Sequence, residues 1–422
     1  MTNKTLFVFG NGFDIAHGMP TKYEHFFYFI EALKIYATEG YDSLQDSEYI
    51  QENLNSTISE YLTKVLHPFS KSPIPAYLET IINTLSLNDL ENINPWHCYF
   101  RDRFDDQIPG VTWIDFETAI KEAVTLFKST DNSRAHFCQI MQIMHATTTS
   151  PPASLEKIYS KLPRSPNLTF DDYTPKHKEL FYRFRDETSL YIYHQLLKYA
   201  FCFELYLSFY VLNPETLPSP VACFANVFSK EFAKPTSQII ETSLGPLAYP
   251  VVPKDVYVLS FNYTKTFEVV YGIDKKVHHI HGTTRPHTEL ELNMNNPEYQ
   301  LKTPIVLGFH NSTEDEDCNV TPYLWFEKFY QRILHKTGTE VFQWIANFLD
   351  VDKVTSIFIG HSLDSTDRDT IEKIFNSSDL VKIYYHSETV LPGLIANLIS
   401  IFGKNKIEDA HSRGKIQFIP TY

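Results

Sequence analysis

The stretch LFVFGNGFDIAHGMPTKYEHF, Leu6–Phe26, decides the fold. Leu6–Phe9 is a short apolar run that reads as a buried strand. Three glycines follow in the spacing G-x-G-x5-G, at Gly10, Gly12 and Gly18, and then Pro20. Thr21-Lys22-Tyr23-Glu24 has the form of a capping box, so a helix is expected from there through EHFFYFIEALKIYA. Strand, glycine loop and helix together open an α/β nucleotide-binding unit. The spacing is neither the dehydrogenase fingerprint G-x-G-x-x-G nor a P-loop.

From about residue 41 to 250 the pattern turns helical. SEYIQENLNSTISEYLTKVL, WIDFETAIKEAVTLFK, AHFCQIMQIMHA and the long run from KELFYRF to FYVL carry helical periodicity, separated by proline-rich breaks such as SPPAS and LPSPV. After 250 short strand-like runs return: DVYVLS (255–260), KVHHIH (276–281), PIVLGF (304–309), TSIFIG (355–360) and VKIYYH (381–386). Strands alternating with helices imply a mostly parallel sheet. The expected fold is therefore α/β, a Rossmann-like domain over 1–40 and 251–422 interrupted by a large all-helical insertion over 41–250.

Composition narrows the function. The 422 residues are 43% hydrophobic and 21% charged, ordinary for a packed globular protein. A net charge of -14 repels phosphate backbones, which argues against broad nucleic-acid binding. Five cysteines are scattered with no C-x-x-C pair, which disfavours a structural zinc site and fits reduced thiols in a cytoplasmic protein. The best membrane candidate, Tyr191–Leu212, carries Lys198 and Glu204 and reads as a core helix.

In parallel sheets, ligands bind beyond the carboxyl ends of the strands. Four small or polar clusters fall there: Gly10-Asn11-Gly12-Phe13-Asp14, Ser260-Phe261-Asn262-Tyr263-Thr264, His281-Gly282 and Gly360-His361-Ser362-Leu363. Glycines at 10 and 12 allow backbone amides to approach a pyrophosphate, and a helix behind them adds partial positive charge. An imidazole with an ordinary pKa of about 6.5 can accept a proton at cellular pH.

GNGFDIAHGMP resembles the sirtuin NAD-binding loop GAGxSxxxGxP, with Gly10, Gly12, Gly18 and Pro20 in register. SFNYT resembles the sirtuin T-Q-N-I-D motif at Asn262, HIHG its His-Gly pair at His281, and GHSL its G-T-S-L segment. More narrowly, GNGFDIAHGMPTKY, W-x-D-F-E (Trp113–Glu117), SFNYT, IHG and GHSL resemble the bacteriophage abortive-infection family AbiH over nearly the whole chain. The resemblances imply anti-phage defence, a sirtuin-like core and NAD as ligand. They assign Gly10, Asn11, Gly12, Phe13, Gly360, His361 and Ser362 to dinucleotide binding, and Asn262, His281 and Asp14 to catalysis. Expected partners are NAD or a related nucleotide, a phage-encoded trigger and further copies of the chain, with no membrane and no nucleic acid.

Departures from the sirtuin pattern shape the expected reaction. Asp14 stands at the loop serine, where it could stabilise a ribosyl cation or bind a ribose hydroxyl. Thr264 replaces an aspartate. The sirtuin zinc cysteines are absent, and water becomes the natural acceptor. An NAD glycohydrolase releasing nicotinamide and ADP-ribose is the leading reading.

Three other readings compete. A sensor could bind NAD or an ADP-ribose nucleotide without cleaving it. GHSLD (Gly360–Asp364) could be a hydrolase elbow, with Asp379 and His386 or His411 completing a triad. Asp364 then stands where the elbow needs glycine, and Asp364, Ser365 and Thr366 read better as a helix cap, with Asp367 orienting the loop. His279 and His281 share a strand face but lack a third donor, so no metal is expected. Trp113, Asp115 and Glu117 could reach the active site from the helical insertion, but they read better as a buried anchor with helix N-terminal acids.

Overall fold

The computed structural model describes residues 3–39, 56–69, 73–89, 92–104, 113–125, 153–162, 173–213, 218–231, 237–242, 245–250, 256–271, 277–310, 321–338, 343–344 and 353–421. The expected helix AHFCQIMQIMHA (135–146) lies outside them. The strands are β1 (Asn3–Phe9), β2 (Ser237–Thr242), β3 (Gly245–Pro250), β4 (Val256–Ser260), β5 (Val277–His279), β6 (Lys353–Ile359), β7 (Leu380–Tyr385) and β8 (Ile416–Pro420). Six of them form one sheet in the order β5-β4-β1-β6-β7-β8, with every neighbouring pair parallel. The sheet grows outward in both directions from β1, so the direction of strand addition switches between β1 and β6.

The helices that build the core and the site are α1 (Asn11–Ala16), α2 (Tyr23–Glu39), α3 (Trp113–Thr125), α4 (Pro175–Leu205), α5 (Ala222–Glu231), α6 (Thr266–Tyr271), α7 (Lys328–His335), α8 (Arg368–Ser377) and α9 (Leu391–Phe402). β1 is central and apolar on both faces, as a strand covered on each side must be. Phe7 and Phe9 pack with Phe224 and Phe228 of α5 and Phe267 of α6. Leu6 and Val8 point the other way, against Ile371 and Ile374 of α8 and Leu398 of α9. Each such buried side chain contributes about 1.5–3 kcal/mol relative to exposure.

A separate helical core joins α2, through Phe26, Phe29 and Ile30, to α4, through Leu196, Phe201 and Phe203. Leu290, Ile305, Leu307 and Phe326 complete it from the later chain. Two hydrogen bonds tie this layer to the glycine loop and α2: Tyr206 Oη donates to the Pro20 carbonyl at 2.8 Å, and the Tyr23 and Tyr199 hydroxyls meet at 3.1 Å. Glu204, fully buried on α4, receives Arg285 through its backbone amide and two guanidinium nitrogens, and Thr303 through its hydroxyl. No helix among the described residues is long and apolar enough to cross a membrane.

Two expectations are corrected, and one strand lay outside them. PIVLGF is not a strand of the sheet: it runs extended and makes a single bridge, Phe309 to Glu327. Its backbone bonds to loop backbone and to side chains: the Val306 amide donates to the His281 carbonyl at 2.8 Å, and the Phe309 amide to the Phe326 carbonyl at 3.1 Å. Gln331 accepts from the Leu307 amide and donates to the Leu307 carbonyl, each at 2.9 Å, which satisfies a buried segment without a strand neighbour. The span 41–250 is not all helical, because β2 and β3 pair antiparallel within it. Its apolar content in β2 is two adjacent isoleucines, Ile239 and Ile240, with no alternation to announce it. β8 was invisible for a related reason: it is a short edge strand ending in Pro420, where proline is tolerated.

Candidate active site

The glycines after β1 and β6 are there for each other. The Gly12 amide donates to the Gly360 carbonyl at 2.8 Å, and the Gly10 amide to the Ile359 carbonyl at 3.1 Å. A Cβ on Gly10 would lie 2.5 Å from His361 Cα, and one on Gly12 would lie 2.8 Å from the Gly360 oxygen. Gly360 adopts φ 66°, and a Cβ there would sit 2.2 Å from the Phe13 nitrogen. This corrects the phosphate-cradle reading of the loop: the Gly10 and Gly12 amides are bonded to backbone, and the chain turns directly into α1. Phe13 is also corrected. Its ring is buried and stacks on Phe9 at 4.5 Å, inside the core.

The first turn of α1 brings Asp14 to the carboxyl end of the sheet, where it is 1% exposed. Asn262 Nδ2 donates to Asp14 Oδ1 at 2.9 Å, and the Thr264 hydroxyl donates to Oδ2. Burial dominates and raises the Asp14 carboxyl to about 6, although Thr264, Thr266 and Asn262 oppose the shift. The turn that carries Asn262 is held from both sides. Its amide donates to Ser260 Oγ at 3.1 Å, and its carbonyl bonds His279 Nδ1 at 2.9 Å.

His281 follows β5 and is buried. Its Nε2 lies 3.0 Å from Asp367 Oδ1. A carboxylate can only accept there, so Nε2 carries the hydrogen and Nδ1 of the neutral ring is the basic nitrogen. Lys328, on α7 and 2% exposed, sits between two carboxylates, 2.7 Å from Glu117 Oε1 and 2.9 Å from Asp367 Oδ1. Burial would raise Asp367, but Lys328 and His281 outweigh it and hold the carboxyl well below its ordinary range. Burial raises Glu117 to about 7 against the pull of Lys328. His361 accepts from the Leu363 amide at Nδ1, which leaves Nε2–H facing Asp367 Oδ2 at 3.9 Å, and burial lowers it to about 4.

These groups line one pocket with a cavity volume of about 100 Å³. It collects Gly10, Asn11, Asp14, Asn262, His281, His361 and Ser362 from the predicted residues. Gly12, Phe13 and Gly360 stand behind its wall. Within it, Asn262 Oδ1 and His281 Nδ1 are buried and have no hydrogen-bond partner among the described residues. Glu117 Oε2 is a third such atom among the lining residues. Most buried polar atoms are paired, so three such atoms on one lining mark where a ligand would bond.

Sequence reasoning missed Lys328 and, of its two readings of Glu117, favoured the helix-terminal one over the pocket. Lys328 sits in YLWFEKFYQRIL, which carries no local motif. Glu117 was legible in W-x-D-F-E, yet it reaches the pocket, whereas Asp115 is exposed. The Trp113 side chain lies outside the description. Asp364 does cap, accepting from the Thr366 amide at 2.9 Å.

The hydrolase triad is not assembled. Ser362 follows the end of β6, whereas Asp379 Oδ2 accepts from Val354 at that strand's start, and the strand spans about 20 Å. His386 and His411 are exposed. His279 and His281 do not converge either, since His279 Nε2 bonds Glu268 at 2.9 Å. Gly282, with φ 79°, admits the crossing segment: a Cβ would lie 1.9 Å from the Pro304 oxygen.

Compared with curated proteins and with solved structures, the chain finds no match. A family model described as bacteriophage abortive infection AbiH matches residues 6–386, nine-tenths of the sequence. The matched span contains the glycine loop, Glu117, Asn262, His281, Lys328 and Asp367. The chain therefore belongs to the bacteriophage abortive-infection family AbiH.

Proposed function

We propose that this protein hydrolyses NAD to nicotinamide and ADP-ribose, and that the resulting loss of NAD arrests the infected cell. One observation carries the reading. Asp14, Asn262 and His281 arrive from three separate strand ends at one pocket, and Asn262 Oδ1 and His281 Nδ1 are left unpaired in it. The pocket opens where strand addition switches direction, the usual ligand crevice of open parallel sheets. Numbered within the sheet, the strand order is 3-2-1-4-5-6, the order of dinucleotide-binding folds. The sirtuin-like placement of Asn262 and His281 supports the same ligand.

In the proposed reaction the bond between nicotinamide and ribose breaks, and its electron pair leaves with the nicotinamide. A ribosyl cation forms. Water attacks its anomeric carbon, and His281 Nδ1 takes the proton. Asp367 holds the imidazole through Nε2 and leaves Nδ1 unpaired. Asn262 orients the ribose or the water through Oδ1. Asp14 supplies negative charge beside the cation and is ionised above its raised pKa of about 6.

The test is chromatography of purified protein incubated with NAD, beside Asn262→Ala and His281→Ala. Release of nicotinamide and ADP-ribose by the wild type alone supports the proposal. NAD bound but intact, with cellular NAD unchanged during phage challenge, would favour a sensor.

A further inference from the structure

His281, Asp367, Lys328 and Glu117 form an unbroken buried chain, with steps of 3.0, 2.9 and 2.7 Å. The chain runs from the sheet edge into α3 of the helical layer. A buried histidine beside a lone carboxylate is drawn toward its protonated form, by roughly 1–3 pH units. An imidazolium cannot act as a base. Here the carboxylate is shared with a cation, because Lys328 Nζ and His281 Nε2 both bond Asp367 Oδ1.

We propose that Lys328 is a positioning residue that, by sharing Asp367, keeps His281 neutral and its Nδ1 open to a proton, and that Glu117 anchors Lys328 from the helical layer. The inference rests on the reading of His281 as the base.

The other groups facing the ring do not replace Lys328. Phe261 and Tyr263 present aromatic rings at 5.4 and 6.1 Å. His361 lies across Asp367, and burial lowers its own proton affinity. Arg332 is bound to Asp369 and Thr370. Burial and then Lys328 push the His281 proton affinity down, against the opposing pull of Asp367. Glu117 completes the device. Without it, Lys328 would have Asp367 alone to balance its charge in a buried site, and a shift of α3 would change the charge felt by the base. That makes the chain a route by which the helical layer could set the activity of the pocket.

The measurement is an NMR titration of the His281 ring in the full-length protein, which needs no NAD and no turnover. In Lys328→Met, His281 should become protonated at a pH about one unit or more above wild type, a tenfold or greater rise in proton affinity. Lys328→Arg should restore the wild-type value. Should Lys328→Met misfold by stranding two buried carboxylates, the pair Glu117→Gln/Lys328→Met removes that conflict and should show the same rise. His281 titrating as in wild type in the folded variants would overturn the inference. If the titration moves while the wild type leaves NAD intact, the glycohydrolase reading fails and the role of Lys328 stands.

Discussion

Gly12 donates its amide hydrogen to the carbonyl oxygen of Gly360 across 2.8 Å, which stitches the end of β1 to the end of β6. The site therefore depends on a backbone-to-backbone joint that admits no side chain. Gly360→Ala should cost about 1–2 kcal/mol for its left-handed backbone and about 1–3 kcal/mol more for overpacking against Phe13. Gly414 is a closer control, since its φ is 71° at a helix C-terminus and nothing lies near a Cβ there. Gly414→Ala should show the backbone cost alone. Urea denaturation followed by circular dichroism compares them, and equal losses would remove the argument from close approach.

Asp14 makes stability depend on pH. Its ordinary pKa is 3.8, and burial raises it to about 6 in the folded chain. Between these values the folded state holds a proton that the unfolded state has released, so stability falls as pH rises. The contribution is complete below 3.8 and is lost by the time pH passes 6. The loss is about 3 kcal/mol, from roughly 1.4 kcal/mol per unit. Asp14→Asn should flatten this part of the profile. Urea midpoints at pH 4 and pH 7.5 would show it as a smaller difference than in wild type; an unchanged difference would mean that Asp14 does not titrate there.

The helical layer has its own buried charge. Arg285 grips Glu204 through Nε at 2.9 Å and Nη2 at 2.7 Å, and its guanidinium stacks 3.8 Å from the centre of the Tyr299 ring. Breaking such a pair from one side typically costs about 3–5 kcal/mol, because the survivor remains buried and charged. Arg285→Met should therefore be severe. The double variant Arg285→Met/Glu204→Gln should recover much of the loss. Recovery is read from the denaturation midpoint, and a double variant as weak as the single would assign the damage to packing on Tyr299 instead.

The strand ends were legible because each rests on local chemistry. An apolar run followed by glycine or asparagine announces a strand and its turn, and Gly10, Asn262, His281 and Gly360 were found that way. Asp367 was visible as a loop residue, but its bond to His281 spans 86 positions and has no local sign. Lys328 is less visible still. Its helix buries Lys328, Gln331 and Arg332 and exposes Phe329, Ile333 and Leu334. A hydrophobic pattern read in the ordinary way puts the wrong face inward. The glycines teach a related lesson: close approach was read correctly, but the approaching partner is Gly360.

Binding and chemistry should separate at His281. Its Nδ1 has no partner among the described residues, while its Nε2 is taken by Asp367, so the ring can supply a base without holding the ligand's bulk. Removing a general base typically costs about 10²–10⁴-fold in rate. His281→Ala should therefore bind NAD within a few-fold of wild type by calorimetry, yet release nicotinamide at least about a hundredfold more slowly. Asp14→Ala should lose both. The Asn262 amide would forfeit its bond to Oδ1 and the Thr264 hydroxyl its bond to Oδ2, which loosens the turn that presents Asn262. The two variants thus predict different pairs of outcomes from the same two assays. Wild type and His281→Ala binding NAD alike with no nicotinamide from either would leave the pocket as a receptor.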